Sequence, residues 1–241
     1  MEEKLFMKKY TFILTVVLAL TFILSACSGQ NNSKPNSENS ETTLETTNEA
    51  ASKDVELVDS GYTISKDGEY VHWGAIIKNP DDKAIYEFTK IIITAYDKEG
   101  GVVATEDQVM NVIAPGETQA FGSILGTNGE VPDKVEFSIE SGDKITASEE
   151  HISSSEFEII GAKDRKDEYD DTAFTGKVKN NSTKDCSSAC VSIILKKENR
   201  IVYGTTDYVD DINAGQEKAF DISEYNLPDY DSYEITVIDW T

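Results

Sequence analysis

The chain has 241 residues, a formal net charge of −23 and 39% hydrophobic residues, enough for one large domain or two small ones. With 22 Lys and Arg against 45 Asp and Glu, it lacks the positive surface that attracts phosphate backbones, which excludes nucleic acid as a partner. Three cysteines with no paired CxxC spacing exclude a disulfide-built scaffold and a zinc ribbon, so the fold must rest on hydrophobic packing.

Lys8 and Lys9 precede an apolar run from Phe12 to Leu24, interrupted only by Thr15 and Thr21, and the small residues Ser25 and Ala26 follow. This is the pattern of a secretory signal peptide. The run holds 13 residues, whereas a helix across ~30 Å of hydrocarbon needs roughly 20. Leu24, Ser25, Ala26 and Cys27 resemble the lipobox of bacterial lipoproteins. That resemblance implies cleavage before Cys27, a diacylglyceryl group on its thiol, and a place on the extracytoplasmic face of the cell membrane. Two acyl chains suffice for stable anchoring where one is marginal, since each buried CH2 contributes ~0.8 kcal/mol. Loss of residues 1–26 removes Lys4, Lys8, Lys9, Glu2 and Glu3, leaving a net charge of −24 that anionic headgroups would repel.

Residues 28–53 are Ser, Asn, Thr, Glu and Gln with almost nothing apolar, too polar to fold. As a flexible coil the segment spans roughly 30 Å, a tether off the membrane.

Beyond the tether the chain repeats with a period of about 100 residues, long enough for each copy to be a small domain. Val55–Val58 align with Phe157–Ile160, Ala75, Ile77 and Asn79 with Gly176, Val178 and Asn180, and Ile92 and Ile93 with Ile193 and Ile194. The spacing drops by two where Asp97–Gly101 faces Glu198–Arg200, as a hairpin loop allows. It then resumes with Gly116 on Gly215 and Ala120 and Phe121 on Ala219 and Phe220. Val71, Trp73, Ala75 and Ile77 alternate with Tyr70, His72, Gly74 and Ile76, the period of two that sends neighbours to opposite faces of a sheet. Turn signals such as Asn79–Pro80 and Pro115–Gly116 separate these runs. The expected fold is all-β: two antiparallel immunoglobulin-like sandwiches at 54–140 and 156–241, joined by a polar linker at 141–155 and behaving as semi-independent units.

In the first copy Ile93, Thr94, Ala95, Tyr96 and Asp97, a Gly turn, and then Ala114, Pro115, Gly116 and Glu117 before Phe121 are similar to the FxLYD domain of bacterial lipoproteins. The resemblance covers both folded copies. Ile93 and Ala95 replace the Phe and Leu of the name, and the second copy keeps only the framework, as Ile194, Leu195, Lys196, Lys197 and Glu198. The resemblance implies an extracellular immunoglobulin-like module on a lipid anchor and brings no catalytic residue.

The residues give little chemistry either. Only His72, in a strand, and His151, in the linker, are available as imidazoles, and no GxSxG elbow is present, which points away from a hydrolase. No cofactor is expected. Asp167, Asp170 and Asp171, and Asp207, Asp210 and Asp211, are weak calcium candidates on loops, though neither run has EF-hand spacing. Cys186 and Cys190 either form a disulfide, which needs the chain to curl, or remain buried thiols. Trp73 is expected in a core, and Tyr225, Tyr230 and Tyr233 either form a contact patch or an ordinary strand edge. The function expected is non-catalytic binding of an envelope or extracellular protein at the cell surface. The rival is a structural envelope lipoprotein without a ligand.

Overall fold

The computed structural model describes residues 53–145, 151–166 and 171–240. In chain order the strands of the first half are β1 (Glu56–Ile64), β2 (Tyr70–Lys78), β3 (Ile85–Glu87), β4 (Lys90–Tyr96), β5 (Val102–Val109), β6 (Val112–Ile113), β7 (Thr118–Gly126), β8 (Lys134–Glu140) and β9 (Asp143–Ile145). A 3-10 turn at Ser154–Glu156 opens the second half, followed by β10 (Phe157–Lys166), β11 (Thr172–Asn180), β12 (Cys186–Lys197), β13 (Arg200–Ile212), β14 (Glu217–Glu224) and β15 (Ser232–Asp239). The described fold is all-β, and among the described residues no helix is long and apolar enough to cross a membrane.

Every strand pairing is antiparallel. The first half has sheets β1-β2-β7 and β5-β4-β8 with a small β6-β3-β9 sheet beside them, and the second half has β10-β11-β14 and β13-β12-β15. The two large sheets thus recur in the same strand order. Alternation explains how each pair closes on itself. Val71, Trp73, Ala75 and Ile77 of β2 face Ile91, Ile93 and Ala95 of β4, with Phe121 and Leu125 of β7 in the same buried cluster. The Trp73 ring lies 6.1 Å from Phe121 and 6.2 Å from Phe137, tilted and edge-on, a preferred aromatic geometry. Phe174, Val178, Ile193, Leu195, Phe220 and Val237 build the second core in the same way.

The turns repeat at atomic detail. Asn79 donates through Nδ2 to the carbonyls of Ala84, Ile113 and Ala114 at 2.7 to 3.1 Å, and its Oδ1 accepts from Asp81 N at 3.0 Å. Asn180 donates to Lys184 O and Ile212 O at 2.8 and 3.0 Å and accepts from Ser182 N at 3.0 Å. Both amides are fully buried, and each satisfies backbone groups that would otherwise be orphaned in a loop. Gly116 and Gly215 follow in matching left-handed conformations at φ 72° and 74°. The shortened hairpin places Glu198 and Asn199 at φ 51° and 62°, both left-handed, as a two-residue type I′ turn requires.

The halves are not semi-independent, and β12 shows why. Ala189 to Leu195 is buried without interruption, because both faces of its sheet are covered. Ile193 and Leu195 belong to the second core, while Ile194 packs with Ile201 against Ile76 and Ala120 of the first half, and Cys190 joins the first half's cluster. The outer face of β1-β2-β7 therefore lies on the outer face of β13-β12-β15. A polar linker says nothing about these outward faces, so linker composition could not reveal the contact.

Glycine permits the approach. A Cβ on Gly122 would lie 2.2 Å from the carbonyl carbon of Gly204, one on Gly204 would lie 2.7 Å from Gly74 Cα, and one on Gly61 would lie 1.9 Å from Ile201 O. Backbone meets backbone here, and Gly122 N donates to Thr206 Oγ1 at 3.2 Å while Thr63 Oγ1 donates to Val202 O at 2.5 Å. At one end of this seam the chain returns through His151, whose Nε2 is 3.3 Å from Glu117 Oε2 and whose Nδ1 is 3.7 Å from Asp239 Oδ2. Ser154 N and Ala114 N donate to Glu117 at 2.8 and 2.7 Å, and Ile152 N donates to Asp239 at 2.9 Å. Each half thus contributes one buried carboxylate to fasten the same short segment.

Substituting Gly122→Ala should lower the unfolding free energy by about 1 to 3 kcal/mol, the cost of overpacking against fixed backbone. Gly126→Ala on the same strand, where a Cβ meets nothing within 4 Å, should change it by less than about 0.5 kcal/mol. Urea unfolding of both variants tests the seam, and equal effects would remove it as a constraint.

Candidate binding groove at the open end of the seam

The second half closes tightly over the Gly74 and Ile76 part of the outward face of β2. His72 and Tyr70, two and four residues nearer the strand's start than Gly74, stand where the two sheets part. A groove of about 420 Å³ opens there. Its base is the His72 ring stacked on Tyr203 of β13, with centroids 4.9 Å apart and planes 23° apart. One wall is the end of β1 and the hairpin leading to Tyr70, and the other is the turn Tyr225–Pro228 after β14.

Both walls are held by local chemistry. In the hairpin, Asp67 Oδ1 accepts from Ser65 Oγ at 2.5 Å and from Glu69 N at 3.1 Å, while Ser65 Oγ accepts from Tyr70 N at 3.0 Å. Those hydrogen bonds, from Ser65 first, hold the Asp67 carboxyl below its ordinary range. Gly68 sits at φ 77°, against Val131, and its carbonyl accepts from Thr127 Oγ1 at 2.6 Å. In the opposite turn Asn226 takes the left-handed conformation at φ 53°, which Asn tolerates best after Gly. Tyr225, 65% exposed, and Leu227 flank it on the groove.

Beneath the base, Glu224 accepts from Tyr203 OH at 2.8 Å and from Thr205 Oγ1. Burial, then the charge and hydrogen bond of Glu224, push the Tyr203 phenol well above its ordinary value, so it remains a hydrogen-bond donor. Burial lowers His72 below its ordinary value of 6.5, against the opposing pull of Glu224 and Asp67. The ring is therefore neutral at pH 7, and its buried Nδ1 has no hydrogen-bond partner among the described residues. The Thr63 and Ser65 hydroxyls on the lining do not pair with it: Thr63 donates to Val202 O and Ser65 donates to Asp67. The groove offers aromatic faces and a rim carboxylate.

The residues singled out in the sequence fall elsewhere. Leu24, Ser25, Ala26 and Cys27 lie outside the described residues, as do Asp167 and Asp170. Asp171 precedes Thr172, which pairs with Glu224 at one end of the second half. Asp210 lies toward the other end, its carbonyl accepting from Lys218, which pairs with Val178. Asp207 Oδ1 accepts from Tyr208 N, and Asp210 Oδ1 accepts from Ser188 Oγ. Asp171 and Asp210 are not brought together, and among the described residues no group of three or more His, Cys, Asp or Glu could hold a metal.

Cys186 and Cys190 are both buried thiols. They sit four residues apart on the extended β12, Cys186 in the second core and Cys190 in the first half's cluster. Burial pushes the Cys190 thiol up to about 12, against the hydrogen bond with Ser192, so it is inert as a nucleophile. The tyrosines divide. Tyr230 and Tyr233 pack on Phe174 at 6.3 and 5.3 Å, and only Tyr225 reaches the groove. Tyr70 and Tyr203 were not candidates in the sequence. For Tyr70 the signal was an outward face of β2 that stays aromatic and apolar where a solvent-facing strand would turn polar.

No family model matches the chain, and no curated protein matches it. Among solved structures it is similar to the crystal structure of red sea bream transglutaminase, with a TM-score of 0.28 and 8% identity over 71% of this chain. The chain spans 27% of that protein's length, and a likeness at this score carries no argument about activity.

Two of the more buried groups contribute to the response to acid. His72 has a folded value below its ordinary 6.5, so its contribution is complete above pH 6.5 and is lost as pH falls through the lowered value. For Glu117, burial acts to raise the carboxyl, but the hydrogen bonds from His151, Ser154 and Ala114 outweigh it and leave the value below 4.5. Its contribution is complete above pH 4.5 and lost on further acidification. Urea midpoints followed from pH 7.5 to 3.5 should decline in these two windows, and His72→Gln should flatten the upper one. An unchanged upper slope in that variant would contradict the assignment.

Proposed function

We propose that the chain is a lipid-anchored extracytoplasmic binding protein, built from two FxLYD-like immunoglobulin-type sandwiches, that takes its ligand in the groove at the open end of the seam. The anchor reading is supported by the run from Phe12 to Leu24 followed by Leu24, Ser25, Ala26 and Cys27. The immunoglobulin-type reading is supported by the repeated order of the paired three-stranded sheets.

One observation carries the binding role: Tyr70 and Tyr225, 44% and 65% exposed, stand on opposite walls over a base that holds an unpartnered imidazole nitrogen. Exposed aromatics at a fixed concavity supply contact area at little entropic cost, which is why Tyr recurs at binding sites. The Thr63, Ser65 and Tyr203 hydroxyls on the lining donate to groups of the protein itself, which supports a non-catalytic role.

Two tests follow. Cys27→Ser should move the protein from the membrane fraction to the culture medium, and retention at the membrane would contradict the lipid anchor. A photo-crosslinking amino acid at position 225 in living cells should capture a specific partner that the same group at Val102, exposed on β5, does not. Equal capture at both positions, or none at either, would favour a structural envelope protein without a ligand.

A further inference from the structure

The groove's chemistry narrows what can enter it. Its electrostatics are negative. Asp67 stands on the rim, Glu224 lies directly behind Tyr203, and both act on His72 in the sense that favours positive charge. The −23 charge of the whole chain adds a long-range field of the same sign, which raises the local concentration of cations and repels anions. Among the described residues Lys66 is the one cation on the lining, and it lies exposed at the hairpin tip next to Asp67.

The walls and base complete the pattern. Tyr faces are electron-rich and attract ammonium and guanidinium groups within about 6 Å of the ring centre. A cationic N–H group would answer the carboxylates and the rings together. A neutral sugar would answer only the rings, and a carboxylate or phosphate would be opposed by Asp67 and Glu224. A volume of about 420 Å³ admits a slim chain with one such head group and little more.

We infer that the groove binds an alkylammonium or alkylguanidinium group, carried either by a Lys or Arg side chain of an extended peptide or by a free diamine, between Tyr70 and Tyr225 and against His72. This rests on the reading of the groove as the binding site.

Calorimetry on the intact chain at low salt tests it with three probes: acetyl-Gly-Arg-Gly-amide, the same peptide with citrulline in place of arginine, and cadaverine. The arginine peptide should saturate one site per chain and bind at least tenfold more tightly than the citrulline peptide, which keeps the shape and loses the charge. Tighter binding of the peptide than of cadaverine identifies a peptide source, and the reverse identifies a free amine. Tyr225→Ala, a change at an exposed turn, and Asp67→Asn should each weaken the favoured probe at least fivefold, and Val102→Ala should leave it unchanged. Equal, Tyr225-dependent binding of the citrulline peptide would overturn the cationic class while leaving the groove as a site. Cation binding insensitive to Tyr225→Ala would reduce it to diffuse attraction and overturn the inference. Absence of binding by all three probes would overturn it too, and capture through position 225 would then show whether the groove reading itself survives.

Discussion

Contact between main chains at Gly74, Gly122 and Gly204 governs the architecture. Stacked sheets ordinarily stand about 10 Å apart because side chains fill the space between them. Here the middle of the interface has none, so two sandwiches that could each bury their own core are locked face to face. The consequence reaches β12, whose outward residues Cys190 and Ile194 are as deeply buried as its inward residues Ile193 and Leu195. It also sets where larger groups can stand. Ile76, Ala120, Ile194 and Ile201 close the seam on one side of the glycines, and His72 and Tyr203 stack on the other.

The two ends of the seam use acidic groups in different ways. At the closed end Glu117 and Asp239 are almost fully buried, and backbone N–H groups together with His151 satisfy them, which is the condition under which a buried carboxylate is tolerable. At the open end Glu224 accepts from two hydroxyls and Asp67 from a hydroxyl and backbone, and among the described residues neither forms an ion pair. A chain with twice as many acids as bases cannot neutralise all of them internally. It leaves some of that charge where two aromatic walls converge, and the proposed ligand class follows from this imbalance.

Rigidity is the other condition for a binding groove, and both walls meet it through short-range hydrogen bonding rather than through a large core. The Ser65–Asp67–Tyr70 ring of hydrogen bonds fixes one wall, and Thr127 secures it to β7's end. The other wall leaves β14 directly after Glu224, so the carboxylate that holds Tyr203 also positions Tyr225. Base and wall are thereby coupled, and a ligand contacting Tyr225 would act on a group already registered to His72 through Tyr203.

The all-β class, the inward set Val71, Trp73, Ala75 and Ile77, and the paired turn residues Asn79 with Asn180 and Gly116 with Gly215 were all readable from the chain. Alternation and turn chemistry are local, and each residue's role depends on neighbours within a few positions. Gly74 and Gly204 carried no such mark. A glycine in a strand reads as a weakness until the backbone that presses on it is known, and that backbone lies more than 80 residues away. The same distance hid the groove, since Tyr70, Tyr203 and Tyr225 share no periodicity. It also hid the fate of Cys186 and Cys190, whose opposite surroundings depend on β12 being covered on both faces. Local sequence thus dictated strands, turns and cores, and only the stacking of the two halves decided which outward residues would be buried, which would be joined, and which would stand open to a partner.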